Sequence, residues 1–431
     1  MKELKYEEFH DCILNLSVAN STPSAIQAWS LLQGRHENLK CLIALDNYER
    51  QNLPPAIKKY TRDSTSHLIP YFYSENIYFL SDQILFDMHF KEEAAFEFDY
   101  TLMFDTNIAS YINRLIRGEG LGTVQNKMLS LVDDLLRDDL NFDHIFYLVE
   151  NVKNILKIIE KNSSSPLKFW KLLDKQFRQN MVSLQLFRSI DCKQYKKTLN
   201  PIPQFSYLES VRRAVNYSFD FYCSKNGRAV LDGLVLLQRT FLLILINMIK
   251  VNVSSNKQSR AKIQAHFEFI QTNVGVYLDR ELVIAHKYFS KPSELPILKK
   301  IHKGCKKKRL LKLLDNIAWD MMAPRFMEKL IANMHEDKFF LPFFLTFDSG
   351  LKDLLNLYPV KGCIYNSESK NLIPIPKDNS YDYFESAGCL REIEFIQSDE
   401  AKLKRQLMPT DTRLSIHKKI ADEYRLLRKS I

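Results

Sequence analysis

Apolar residues recur at i, i+3, i+4 and i+7 along most of the chain, the spacing that lines one face of an α-helix. Leu131, Leu135, Leu136 and Leu140 form one such stripe, and Val152, Ile155, Leu156 and Ile159 form another. The pattern predicts helices through much of Asn126 to Arg280, with a break at Asn162 to Pro166 and a loop at Asn200 to Pro203. Three short runs depart from it and read as strands: Tyr100 to Phe104 (YTLMF), Phe343 to Phe347 (FFLTF) and Val360 to Tyr365 (VKGCIY). The first two are apolar with little alternation, as expected of strands buried on both faces of a parallel sheet. Each is followed at once by an aspartate, Asp105 or Asp348, and then by a helix-like run, IASYINRLI or LKDLLNLY.

The most apolar region, Val230 to Val253, contains Asp232, Gln238, Arg239 and Lys250. Its longest uncharged part, Thr240 to Ile249, falls far short of the roughly 20 residues of a bilayer span, so it reads as a buried helix and no membrane is expected. Charge begins at Lys2, which argues against a secretory signal. A basic helix-like segment from Asp411 to Ser430 closes the sequence.

At 431 residues the chain is long enough for two or three folding units, taking roughly 150 residues per domain. Its 45% hydrophobic and 26% charged residues are those of a globular protein and exclude wholesale disorder. Seven scattered cysteines, odd in number and without a Cys-x-x-Cys pair, suggest reduced thiols and a cytoplasmic setting. The phosphate-binding loop of P-loop ATPases and the Gly-x-Ser-x-Gly elbow are both missing from the sequence.

A formal charge of +10 favours a polyanionic partner, because clustered cations gain free energy by releasing counterions from phosphates. The charge is densest in KKIHKGCKKKR, where Lys299, Lys300, Lys303, Lys306, Lys307, Lys308 and Arg309 form a candidate nucleic-acid contact. The same run reads equally as a solvated surface.

Open α/β sheets present ligands beyond the carboxyl ends of their strands, so Asp105 and Asp348 on neighbouring strands are positioned to converge on one metal. Mg2+ and Mn2+ prefer carboxylate oxygens, and such ions assist phosphodiester cleavage. Further acids are expected from helices: Asp320 in LLKLLDNIAWDMM and Glu281 in YLDRELVIAHKYF. Capping of the following helix is the plainer role for Asp105 and Asp348, and it is compatible with ligation.

FDTN at residues 104 to 107, the helical acids Glu281 and Asp320, LTFDSGL at 345 to 351 and the trailing VKGCIY resemble the ordered motifs of the PIN nuclease superfamily. The resemblance implies an Mg2+- or Mn2+-dependent nuclease acting on RNA, with Asp105, Asp320 and Asp348 as the main metal ligands. Glu281 matches the mid-chain acid, with Asp279 as its competitor, while Asn107 and Thr346 match supporting polar positions. A toxin or antiviral-defence effector governed by a protein partner fits the same family, and homo-oligomerisation is left open.

The fold expected is a predominantly helical α/β protein with a small parallel-sheet PIN-like domain at 99–125 and 270–370. A large helical insertion occupies 126–269, a mixed accessory region 1–98, and a loop with a basic helix 371–431. Two rivals stand beside it. Arg280 and His286 resemble the pair used by metal-independent HEPN ribonucleases, although Glu281 stands where that motif commonly has Asn and the six-residue spacing separates the two around a helix. The other is a catalytically inactive scaffold that binds nucleic acid or protein.

Overall fold

The computed structural model describes residues 6–34, 38–47, 53–62, 67–91, 97–161, 165–299, 301–333, 338–408 and 413–431. Eight strands form two four-stranded sheets among predominantly helical surroundings. The strands are β1 (Leu39–Ala44), β2 (Leu68–Pro70), β3 (Ile77–Leu80), β4 (Glu97–Phe104), β5 (Phe142–Asp143), β6 (Lys338–Leu345), β7 (Val360–Asn366) and β8 (Leu372–Pro376). One sheet has the order β3-β1-β7-β8 and is antiparallel throughout; the other has the order β2-β6-β4-β5.

In the second sheet β4 lies parallel to both β6 and β5, while β2 runs antiparallel along β6. Thr101 to Phe104 and Phe339 to Leu345 are all buried, which explains why these strands read as unbroken apolar runs. Their register sets Phe104 opposite Leu345, so both strands finish at the same edge. The helices that follow are α1 (Thr106–Ile116) after β4 and, after β5, α2 (Ile145–Lys161). Further along come α3 (Lys175–Arg188), α4 (Lys225–Ser254), α5 (Asp279–Ser290), α6 (Leu310–Asp320), α7 (Ala323–Asn333), α8 (Ser349–Asn356) and α9 (Arg413–Ser430).

One expectation is corrected. VKGCIY does form a strand, β7, but it pairs with β1 and β8 in the antiparallel sheet and not beside β4 and β6. Here backbones approach so closely that a Cβ at Gly362 would stand 2.7 Å from the Leu42 carbonyl oxygen, which restricts the position to glycine. The segments read as separate units also share elements of the two sheets. Residues 1–98 contribute β1, β2 and β3, and the region taken as an insertion contributes β5, while one continuous core joins Leu42, Met103, Leu148, Leu245, Phe344 and Leu427. Periodicity reports which face of an element is buried but not what covers it, and these partners lie far away in sequence.

α4 is long and apolar enough, by length and composition, to cross a membrane. In the fold, Phe241 to Ile249 is buried without interruption, against α9 and α6 among others. Its polar groups are matched from those neighbours: Asn247 Nδ2 donates to Glu423 Oε1 at 2.6 Å, Lys250 pairs with Glu423, and Arg239 pairs with Asp315 at 2.6 Å. Such matching offsets the cost of burying them.

Candidate functional site

β4 ends at Phe104, and Asp105 caps α1, its Oδ1 accepting from the Ile108 N–H at 2.7 Å. β6 ends at Leu345, and three residues on Asp348 caps α8, accepting from the N–H groups of Gly350 and Leu351. Thr346 ties the two together. Its hydroxyl donates to Asp105 Oδ2 at 2.5 Å and accepts from the Asp348 N–H at 3.0 Å. Asp105 is only 5% exposed, whereas Asp348 is exposed.

Two helical acids face the same place. Glu150, in the second turn of α2, accepts from the Thr106 N–H at 3.0 Å and from the Thr106 hydroxyl. Asp320 is the last residue of α6, where the negative end of the helix dipole disfavours a carboxylate. The next helix, α7, begins at Ala323 with Pro324 in its first turn, a position that tolerates a missing N–H. The proline therefore starts a new helix and fixes the chain direction just beyond the acid.

The charges at this edge are felt by one another. Burial pushes the Asp105 carboxyl from 3.8 up to about 7, with Glu150 and Asp348 adding to the shift against the bonds from Ile108 and Thr346. Burial also raises Glu150, aided by Asp348. Asp320 is raised well above the ordinary carboxylate range, through burial and then through Glu150 and Asp348, while Lys153 opposes the shift. Lys153, one turn beyond Glu150 on α2, donates to Asn316 Oδ1 at 3.0 Å, one turn before Asp320 on α6. Glu150 and Asp320 thus both feel the Lys153 ammonium group.

Among the described residues no group of three His, Cys, Asp or Glu stands close enough, as placed, to hold an ion. The donor types, carboxylate oxygens in excess of nearby cationic groups, are those a hard divalent cation prefers.

Glu281 does not join this group. Both its oxygens face Arg325, with Nη2 to Oε2 at 2.7 Å and Nε to Oε1 at 3.3 Å. Arg325 also reaches Glu328, which pairs with Arg280 at 2.8 Å and accepts from the Tyr71 hydroxyl at 3.0 Å. The assignment of Glu281 as a ligand is therefore corrected: α5 turns this face toward α7, and a guanidinium occupies the carboxylate. Asp279, its competitor, accepts from the hydroxyls of Tyr277, Tyr358 and Ser380.

Arg280 and His286 serve separate surroundings. Arg280 stacks on Tyr358 within the ion-pair network, while His286 Nδ1 meets the Tyr383 hydroxyl at 2.8 Å and burial lowers its pKa. Asn107 is exposed on the first turn of α1. The basic run splits. Lys299 and Lys303 border one cavity of about 500 Å3, and Lys306 and Arg309 border another of about 680 Å3. Lys307 donates to the Arg428 carbonyl, Lys308 is exposed, and Lys300 lies outside the described residues.

Glu150 and Lys153 were missed from sequence. Their segment, FYLVENVKNIL, has helical periodicity, and an acid at the edge of its apolar stripe with a lysine one turn on was the available signal. Comparison of the chain with family models, with curated proteins and with solved structures finds no match.

Proposed function

We propose that the chain is a PIN-like, metal-dependent nuclease that hydrolyses phosphodiester bonds, with RNA as its substrate. The observation that carries the reading is the meeting of Asp105, Glu150, Asp320 and Asp348 at the carboxyl edge of two parallel neighbouring strands, where three carboxyls are raised above their ordinary range. Strongly perturbed acids gathered at one sheet edge mark a candidate functional site, because a fold selected only for stability pairs such charges.

These four residues would hold Mg2+ or Mn2+, with Glu150 in the role that the sequence assigned to Glu281. When bound, the ion supplies charge neutralisation and activates water toward the phosphodiester. The chain prepares the rest. Thr346 fixes the Asp105 carboxyl against the Asp348 backbone, and the helix N-terminus above Asp105 spares its second oxygen from rotation. Lys153 offsets part of the repulsion between Glu150 and Asp320 and stands where it can also meet a phosphate. Asp105 must shed its proton to ligate, so cation binding releases a proton near neutral pH.

The decisive experiment incubates purified protein with a labelled single-stranded RNA and Mn2+, with and without EDTA, alongside Asp105→Asn and Glu150→Gln. Cleavage lost in EDTA and in both variants supports the reading. EDTA-resistant cleavage abolished by His286→Ala would replace it with the metal-independent rival, and binding without turnover in any metal would leave a scaffold. As a cytoplasmic nuclease it would act as a toxin or defence effector under the restraint of a protein partner.

A further inference from the structure

A cavity of about 310 Å3 lies where the two sheets meet, and none of Asp105, Glu150, Asp320 and Asp348 lines it. Ile69 and Pro70 of β2 border it on one side and Val360, at the start of β7, on another. The chain leaving β2 is held to β7: Phe72 forms a parallel bridge with Val360, and the Tyr73 N–H donates to the Val360 carbonyl at 2.8 Å. The Lys377 N–H, just past β8, donates to the Pro359 carbonyl at 2.9 Å. Backbone bonds thus hold the walls in place, and a preformed hollow of this volume stands at the lower end of the range that takes small organic ligands, about 300–1,000 Å3.

The walls are largely hydrocarbon, because their polar tips are engaged elsewhere. Tyr71, Tyr73 and Tyr358 line the cavity, and their hydroxyls donate to Glu328, Asp46 and Asp279 at 3.0, 2.8 and 2.6 Å, acids that do not line it. Ring surface is what they leave for a ligand, with Phe72 and Met327 beside them. The charged lining residues are both cations, Arg280 and Lys377. Lys377 is exposed, its ammonium 4.5 Å from the centre of the Tyr73 ring. Arg280 is buried, at 5% exposure, and is short of acceptors. Its Nη2 stands 2.8 Å from Glu328 Oε1, but that oxygen already takes the Tyr71 hydroxyl, and Oε2 faces Arg325 at 3.1 Å. Nη1 has no hydrogen-bond partner among the described residues. A buried guanidinium left in that state carries a free-energy cost that a bound anion relieves.

We propose that this cavity binds a small carboxylic acid with a flat apolar body, its carboxylate drawn to the Arg280 guanidinium and the Lys377 ammonium and its body laid on the tyrosine rings. Neither the acidic edge nor a metal takes part, so the site stands whether or not the chain is a nuclease. A monoanion fits better than a dianion. Glu328 and Asp279 stand directly behind Tyr71 and Tyr358, so a second negative charge meets repulsion that the two cations do not cover, and a phosphate monoester brings three acceptor oxygens to a site with few free donors. The uncharged amide of the same acid keeps the ring contacts and loses the charge-assisted bond, a difference of about ten- to a hundredfold in affinity.

The test titrates the full chain with 3-phenylpropanoate and indole-3-acetate, with the amides of both, and with phenyl phosphate, in EDTA so that no metal recruits an anion to the sheet edge. Calorimetric heat gives the affinity, and the Met327 methyl signal, in protein labelled with 13C at the methionine methyls, gives the place. At least one acid should saturate with a dissociation constant on the order of 1 mM or below, shift the Met327 signal, and bind at least about tenfold tighter than its amide and tighter than phenyl phosphate. Arg280→Lys keeps a positive charge for Glu328 but withdraws the guanidinium, and should weaken the acid at least about tenfold while leaving the amide unchanged. Lys377→Met, at an exposed position, should weaken the acid a fewfold. Melting temperatures check that the variants fold, and the acid–amide comparison with Lys377→Met decides the matter should Arg280→Lys not fold. An amide as tight as its acid, tighter binding of phenyl phosphate, a silent Met327 signal, affinity unchanged in the folded variants, or no saturation by either acid overturns the proposal.

Discussion

Two clusters of buried charge lie in the same framework and are built on opposite principles. In one, Glu281 and Glu328 meet Arg280 and Arg325 in equal number, and every carboxylate has a guanidinium within contact distance. Burial alone raises the Glu328 carboxyl, yet Arg280 and Arg325 reverse the effect and hold it below its usual value. In the other, Lys153 opposes the shifts of Glu150 and Asp320 without reversing them, and Asp105, Glu150 and Asp320 all run upward. In the first cluster two acids and two guanidinium groups balance. The second carries an excess of negative charge, which the divalent cation proposed above would offset, and pairing, more than residue type, is what distinguishes the two.

The comparison can be broken most sharply at Asp105. Asp105→Asn keeps the cap and the shape while removing the charge, so cleavage should fall at least about a thousandfold, about 4 kcal/mol in the barrier, in a single-turnover assay with Mn2+. The same substitution should raise the melting temperature of the metal-free protein, because a buried ion is lost; unchanged turnover with raised stability would remove Asp105 from the site.

On the paired side, Arg325→Ala leaves Glu281 and Glu328 short of a partner and should cost roughly 3–5 kcal/mol in urea unfolding, the usual effect of stripping one ion from a buried pair. A loss under about 1 kcal/mol would show that water reaches these carboxylates and that the contrast drawn above is false.

Acid should affect the unpaired cluster in a direction of its own. The folded pKa of Asp105 lies above the unfolded value, so the protonated carboxyl stabilises the fold fully below about pH 3.8 and this contribution fades as pH rises through about 7. In chelator, unfolding free energies measured from pH 5 to pH 8 should therefore carry a downward term that vanishes in Asp105→Asn and shrinks with saturating Mn2+. A term of the same size in the variant would assign it elsewhere.

The smallest effect is expected at Lys153. Lys153→Met removes the one cation beside Glu150 and Asp320, and should shift the Mn2+ dependence and pH midpoint of cleavage by a fewfold without abolishing it. A loss as complete as that of Asp105→Asn would instead make the ammonium group a direct partner of the substrate.

What sequence could reveal follows from the range of the interactions involved. β4 and β6 were legible because an apolar run ending in aspartate is a local pattern, and the same locality exposed Asp105 and Asp348. Asp320 was reached through the apolar period of α6. Glu281 and Glu150 are both helical acids beside apolar neighbours, and nothing local distinguishes them; what does is Arg325, 44 positions from Glu281, and Thr106, 44 positions from Glu150. β7 was visible as a strand, while its place between β1 and β8 depended on segments whose own signals were weak.

The uninterrupted burial of Phe241 to Ile249 bears on how the molecule is made. α9, which packs along α4, is synthesised last among the described elements, on the order of 10 s after α4 at ordinary elongation rates. During that interval the stickiest stretch of the nascent polypeptide awaits its cover, inviting chaperones, and the acid-bearing edge cannot reach its final form on a half-made chain.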